Sequence, residues 1–230
     1  MGSKNILSSV GGALVLACLC AASCATAVAR DPIPQVSPEG MRLQQSKDAR
    51  IVYKRDGVDF GKYRQFKLLD AHIAFEKNWQ RQYNRDHVGM QRVRDEDMER
   101  LKKELSSEFR RIFEAELVGG GYELTNEQGP GVLVLQPDIA DLVVTAPDLK
   151  VANMNTVIRS AGAMTLHLEL HDGASNEILA RIIDRQAEDE DYARVATRIS
   201  NKAAANDILE DWAKKLRSQL DAARASNPVP

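Results

Sequence analysis

His167, Glu169 and His171 stand at every second position of TLHLELHDG, residues 165–173, and a β-strand turns every second side chain to the same face. Two imidazoles and a carboxylate side by side are the donor types of a zinc site, and any of the three could act as a general acid or base. A catalytic zinc normally takes three protein ligands and keeps one position open. The neighbouring residues point elsewhere. Leu166, Leu168 and Leu170 occupy the alternate positions, so the strand is expected to be half-buried with its polar face in water. Asp172, Gly173, Ser175 and Asn176 supply turn chemistry for a hairpin, and its register sets Glu169 opposite Arg181 and Ile183 opposite His167. A cross-strand ion pair would occupy the carboxylate and repel a cation. His167, Glu169 and His171 are therefore weak metal candidates, and the sequence assigns no metal ion, no cofactor and no catalytic residue.

A second group of residues suggests contact rather than catalysis. Trp79, Arg81, Tyr83 and Arg85 alternate aromatic and cationic side chains in a segment that also holds His72, Lys77 and His87 and is followed by Arg92 and Arg94. Such residues can meet a partner or an anionic lipid through cation–π and charge contacts. Equally, they can pack their stems and leave their heads in water. Other chemistries lack their motifs: GAMTLH and GGGYEL have no phosphate-loop lysine and hydroxyl, and Ser160 and Ser175 have no nucleophile-elbow context. The acidic run AEDEDYAR, residues 187–194, lacks the alternation, glycine and terminal glutamate of a calcium loop.

The elements that must position these residues follow from periodicity. Met98, Leu101, Leu105, Phe109, Ile112 and Phe113 recur at threes and fours, which predicts a helix over 95–118 started by Asp95 and stopped by Gly119-Gly120-Gly121. A last helix over 194–225 carries Ile208, Trp212, Leu216 and Leu220 on one stripe, with Glu210–Lys214 and Asp211–Lys215 paired outside. Strands are expected at 62–70, 121–126 and 132–144, the last interrupted by Pro137, and in the hairpin already described. Residues 71–94 form a short helix or an ordered excursion, and 145–156 a loop. The expected class is α+β: a mostly antiparallel sheet of about four to five strands with two main helices packed on one face.

Composition sets the surroundings. The chain has 230 residues, 43% hydrophobic and 28% charged, with a net charge of −2, which fits one folded domain and argues against a nucleic-acid partner. Residues 1–23 read as a signal peptide (alternatively 1–29), with Lys4 before an uncharged apolar run too short to span a bilayer. Two processing routes are open. Ala21-Ala22-Ser23 before Cys24 resembles a lipoprotein box, although Ala21 stands where such boxes carry leucine; small residues also permit cleavage after Ala27 or Ala29. All three cysteines precede residue 25, so the rest of the chain contains no disulfide or thiolate metal site. Residues 24–48 read as a Pro-, Ser- and Gln-rich flexible tether, leaving a single domain over 49–226.

The order of YRQFKLLD, GPGVLVLQPDIADL, LHLELHDGASNEILARIIDR and ILEDWAKKLRSQLD, spread over Pro38 to Ala225, resembles the bacterial envelope family known as domain of unknown function 3313. Many of its members are lipoproteins. The resemblance implies an α+β domain in the cell envelope and carries over no active site. The expectation is a non-catalytic binding or structural module on the periplasmic side, lipid-anchored at Cys24 to the outer membrane, with envelope proteins of unknown identity as partners. The alternative is a periplasmic hydrolase that uses Glu169 or the histidines.

Overall fold

The structure, a computed structural model, describes residues 32–145, 147, 156–158, 162–187, 194–196 and 198–226. The expected leader, its cysteines, most of the 145–156 loop and most of the acidic run lie outside the described residues. The elements in order are β1 (Arg42–Gln44), β2 (Ile51–Lys54), β3 (Gln65–Leu68), β4 (His72–Phe75), α1 (Trp79–Asp86), α2 (Asp95–Gly119), β5 (Glu123–Leu124), β6 (Val132–Val144), β7 (Thr156–Ile158), β8 (Gly162–Asp172), β9 (Ile178–Ala187), β10 (Arg194–Ala196) and α3 (Arg198–Ser226).

Eight strands form one sheet in the order β1-β2-β9-β8-β6-β3-β5, with β4 also paired to β6, while β7 and β10 pair separately. β3 and β4 run parallel to β6, and β5 parallel to β3; the remaining pairs in the sheet are antiparallel. The α+β class holds. The sheet, however, is mixed and exceeds the expected four to five strands, and α1 adds a third helix. The reason is length: β1, β2 and β5 span two to four residues, too few for a two-residue period to register. The strand expected over 62–70 ends at Leu68, and β4 follows after a break.

Pro137 explains that break. Leu135 turns its carbonyl toward β3, accepting from the Leu69 N–H at 3.0 Å, so Pro137, two residues on, presents its ring nitrogen to the same side. With no N–H to offer there, β6 continues unbroken while its neighbour is interrupted between Leu68 and His72. Farther along, Asp141 takes a left-handed φ of 49° where the register slips between Ala140 and Val143. That β-bulge turns Leu142 into the core.

One face of the sheet carries the main core. Leu133, Leu135 and Ile139 of β6 and Leu166, Leu168 and Leu170 of β8 meet Phe109, Ile112, Phe113 and Leu117 of α2 and Leu209, Trp212, Leu216 and Leu220 of α3. The expected stripe of α2 is thus buried over its second half. Its N-terminus is closed by Asp97, whose carboxylate accepts the Arg94 N–H at 3.1 Å, and Gly121 (φ 76°) provides the left-handed residue beyond its end. α3 begins at Arg198 because β10 takes Arg194–Ala196, and the expected outer pairs form, Glu210–Lys214 at 3.0 Å and Asp211–Lys215 at 2.7 Å.

The folded body starts earlier than residue 49. Within the stretch expected to be a tether, Ser37 and Met41 close a turn, β1 joins the sheet edge, and Met41 is fully buried. Tyr53 donates its hydroxyl to the Pro34 carbonyl at 2.8 Å. A methionine and a strand-compatible RLQ give this stretch enough apolar and ladder-forming content to dock, which its Pro, Ser and Gln composition obscures.

Candidate functional site

The β8–β9 pair has the register read from the sequence, with Glu169 opposite Arg181 and His167 opposite Ile183. Across β6, Gln136 lies opposite Glu169 and Asp138 opposite His167, and β4 adds His72 beside Asp138. These residues share the sheet face turned away from the helices. This face is less wet than the leucine alternation suggests. Residues 34–44 fold against its edge, and His171 is only 8% exposed.

What lies there is an internal charge chain. Arg181 meets the Glu169 carboxylate at 2.7 Å and Glu39, from the N-terminal turn, at 3.0 Å. The other Glu169 oxygen lies 3.1 Å from His171 Nε2, and His171 Nδ1 faces the Asn176 carbonyl at 3.3 Å. The Arg181 hydrogen bond, with one from Ser37, holds the Glu39 carboxyl below the usual carboxylate range. Glu169 therefore has both oxygens engaged, and both nitrogens of His171 face oxygen atoms. His167 stands apart between Asp138 and Ile183, while Asp138 is taken by His72 at 2.8 Å. No three His, Cys, Asp or Glu side chains among the described residues are grouped to hold a metal ion. The arrangement fastens the N-terminal turn to the sheet.

The aromatic segment is built differently from an open contact patch. Phe75, Trp79, Tyr83 and His87 fall four apart, and their rings stack in a continuous ladder with centroid spacings of 4.6, 5.6 and 3.9 Å. Trp79 is 6% exposed, so its indole is a packing element. Asn84 clamps Val93, donating to its carbonyl at 2.8 Å and accepting its N–H at 2.7 Å. Arg81 and Arg85 remain exposed on the outer side of α1. The residues proposed as a surface are thus divided: cations outside, rings inside. The fourfold spacing was visible in the sequence and could have signalled the ladder.

A concavity of about 500 Å³ opens instead between the first half of α2, the start of α3 and the bulged end of β6. Leu142, Val144 and Met164 line its sheet side, and Leu101, Leu105 and Ala205 its helical sides. Over the first three turns the α2 stripe is only partly covered: Leu105 packs against the edge of the core, and both it and Leu101 stay partly open. Charged residues ring it: Arg100, Lys103, Glu104, Glu108 and Lys202. Lys202 bonds Glu108 at 2.6 Å and, with Arg111, keeps that carboxyl below its ordinary range. Arg100 is held by Asp97 and Glu104. Lys103 is exposed and makes no ion pair among the described residues. Asn206, also in the lining, has a buried Oδ1 that no donor among the described residues reaches. The groove's size lies in the range of small-molecule sites, and an apolar floor inside a polar, charged rim suits an amphipathic ligand. Sequence reasoning missed this groove because its residues come from four elements and each reads as ordinary core or ordinary surface.

A family model described as "Protein of unknown function (DUF3313)" matches residues 38–216. No curated protein matches the chain. Among solved structures, a PelC dodecamer from Paraburkholderia phytofirmans aligns at 6% identity over 71% of this chain and 96% of its own, with a TM-score of 0.37. A minor lipoprotein from Acinetobacter baumannii aligns at 11% identity over 70% of this chain and 95% of its own, with a TM-score of 0.31. A PDZ domain protein from Parabacteroides distasonis gives 12% identity, 72% and 34% coverage, and a TM-score of 0.38.

Proposed function

The chain belongs to the DUF3313 family of proteins of unknown function, and from that premise we propose that it is a non-catalytic binding module of the bacterial cell envelope. It is exported, acylated at Cys24 and held at the periplasmic face of the outer membrane, where its domain binds other envelope components. The observation that carries the non-catalytic part is the charge chain: Glu169 and His171 are spent on Arg181 and on each other. A hydrolase built on Glu169 or His171 would need one of these two groups free to exchange a proton with substrate. The open α2–α3 groove, with its apolar floor, supports the binding part.

The anchor follows from the leader, with Cys24 after two alanines and a serine. One acyl chain holds a protein at a bilayer only marginally, whereas two or more hold it stably. From Cys24 to Pro34, where the folded body begins, the chain spans at most roughly 35 Å, so an anchored domain works near the lipid surface.

Intact-mass measurement of the mature protein from native envelopes tests this reading. The expected N-terminal residue is Cys24 carrying acyl chains, and Cys24→Ala moves the protein from the membrane fraction to the soluble periplasm. An unacylated N-terminus at Val28 or Arg30, or one that retains Met1, overturns the anchor.

A further inference from the structure

We propose that the α2–α3 groove binds a single-chain anionic amphiphile, its alkyl chain on the Leu142–Val144–Met164 floor and its headgroup at Lys103. This deepens the binding reading above and does not depend on the lipid anchor.

Three features define the ligand. The first is the apolar floor with Leu101, Leu105 and Ala205 above it; an unbranched chain laid there would remove from water a surface that close packing covers elsewhere in the domain. The second is charge. Glu108 is neutralised by Lys202 and Arg111, and Arg100 by Asp97 and Glu104, so Lys103 is the rim cation left to meet an anion. The third is the Asn206 Oδ1, a buried acceptor with no donor among the described residues. A buried oxygen left unbonded costs free energy that a ligand donor would recover. The head should therefore carry a hydroxyl or amide N–H close to its junction with the chain. Both a lysophospholipid and an N-acylated acidic residue have this combination of chain, donor and negative charge.

Titration calorimetry on the full exported chain tests the assignment, with each probe kept below its micelle concentration. The probes are lauroyl lysophosphatidylglycerol, N-lauroyl glutamate, laurate and dodecyl maltoside. The first two are expected to bind most tightly, with laurate about fivefold weaker for want of the donor and the maltoside weaker again. A preference between the first two identifies the source. Lys103→Glu, at an exposed helical position, weakens the anionic probes by roughly fivefold to tenfold and leaves the maltoside unchanged. Asn206→Ala removes the advantage of the two donors over laurate. Ala205→Trp fills the groove and abolishes binding, with melting temperature reported alongside to confirm folding. The inference is overturned if no anionic probe binds saturably, if all headgroups bind alike, or if Lys103→Glu changes nothing. A protein acylated at Cys24 that binds none of the probes overturns this inference alone. An unacylated protein that binds them overturns only the anchor.

Discussion

Trp212→Ala lowers the stability of the domain by about 4–5 kcal/mol, and Trp212→Phe by about 1–3 kcal/mol. The indole is buried on α3 within the main core, and truncating a core aromatic leaves a cavity that the surroundings only partly fill. It also bonds a charge. Trp212 Nε1 donates to the Asp184 carboxylate of β9 at 2.9 Å, and Asp184 is itself buried. The Arg50 N–H and the Gln186 amide reach the same carboxylate at 3.1 and 3.2 Å. Phenylalanine keeps most of the ring volume but leaves a buried carboxylate short of one donor, which separates the two costs. Urea unfolding followed by far-UV circular dichroism reads both. Domains of this kind are stable by about 5–15 kcal/mol, so Trp212→Ala brings the protein close to the limit of folding. A phenylalanine variant as stable as the parent would show that the indole–carboxylate bond contributes nothing.

Asp172→Ala is expected to cost about 3 kcal/mol. One carboxylate organises the β8–β9 turn: it accepts the Tyr63 hydroxyl at 2.6 Å, the Ser175 N–H at 2.9 Å and the Ala174 N–H at 3.0 Å. These bonds, the Tyr63 hydroxyl first, pull its pKa down to about 2, and burial with the same contact pushes Tyr63 upward. The sign follows from linkage. A carboxyl whose folded pKa lies below its unfolded value adds stability that is complete above about pH 4 and is lost as the pH falls through about 2. Asp172→Asn removes that component, so the loss of stability between pH 5 and pH 2 should be about 1–2 kcal/mol smaller in the variant than in the parent. Parallel denaturant titrations at those two pH values measure it. Identical losses would show that the turn carboxylate titrates as it would in an unfolded chain.

What the sequence shows and what it hides have one physical cause. α2 can be bounded to within a residue at each end because a long 3.6-residue period and terminal glycines are local signals, although the start is closed by Asp97 and the expected cap, Asp95, accepts from Gln80 instead. The Glu169–Arg181 pairing is legible because the Asp172–Asn176 turn fixes the hairpin register. Contacts set by distant packing are not legible. Nothing local to Glu39 announces that it closes over Arg181, nothing local to Met41 announces its full burial, and Leu101 reads as core although it stays partly open. Trp79 lies between the two cases: the fourfold spacing of its stack is visible in the sequence, but the first ring, Phe75, belongs to a strand, which interrupts the helical signal. The groove is the extreme case, since its acceptor, cation and floor lie on α3, α2 and the sheet.

The lengths of the strands carry a further consequence. β6, β8 and β9 run for 13, 11 and 10 residues through the middle of the sheet, but the strands at its margins, β1, β4 and β5, have only three, four and two. A neighbouring molecule approaching either margin finds few unpaired main-chain groups in a row, too short a template for edge-to-edge growth. Copies of the domain can then reach high local density without zipping their sheets into fibres.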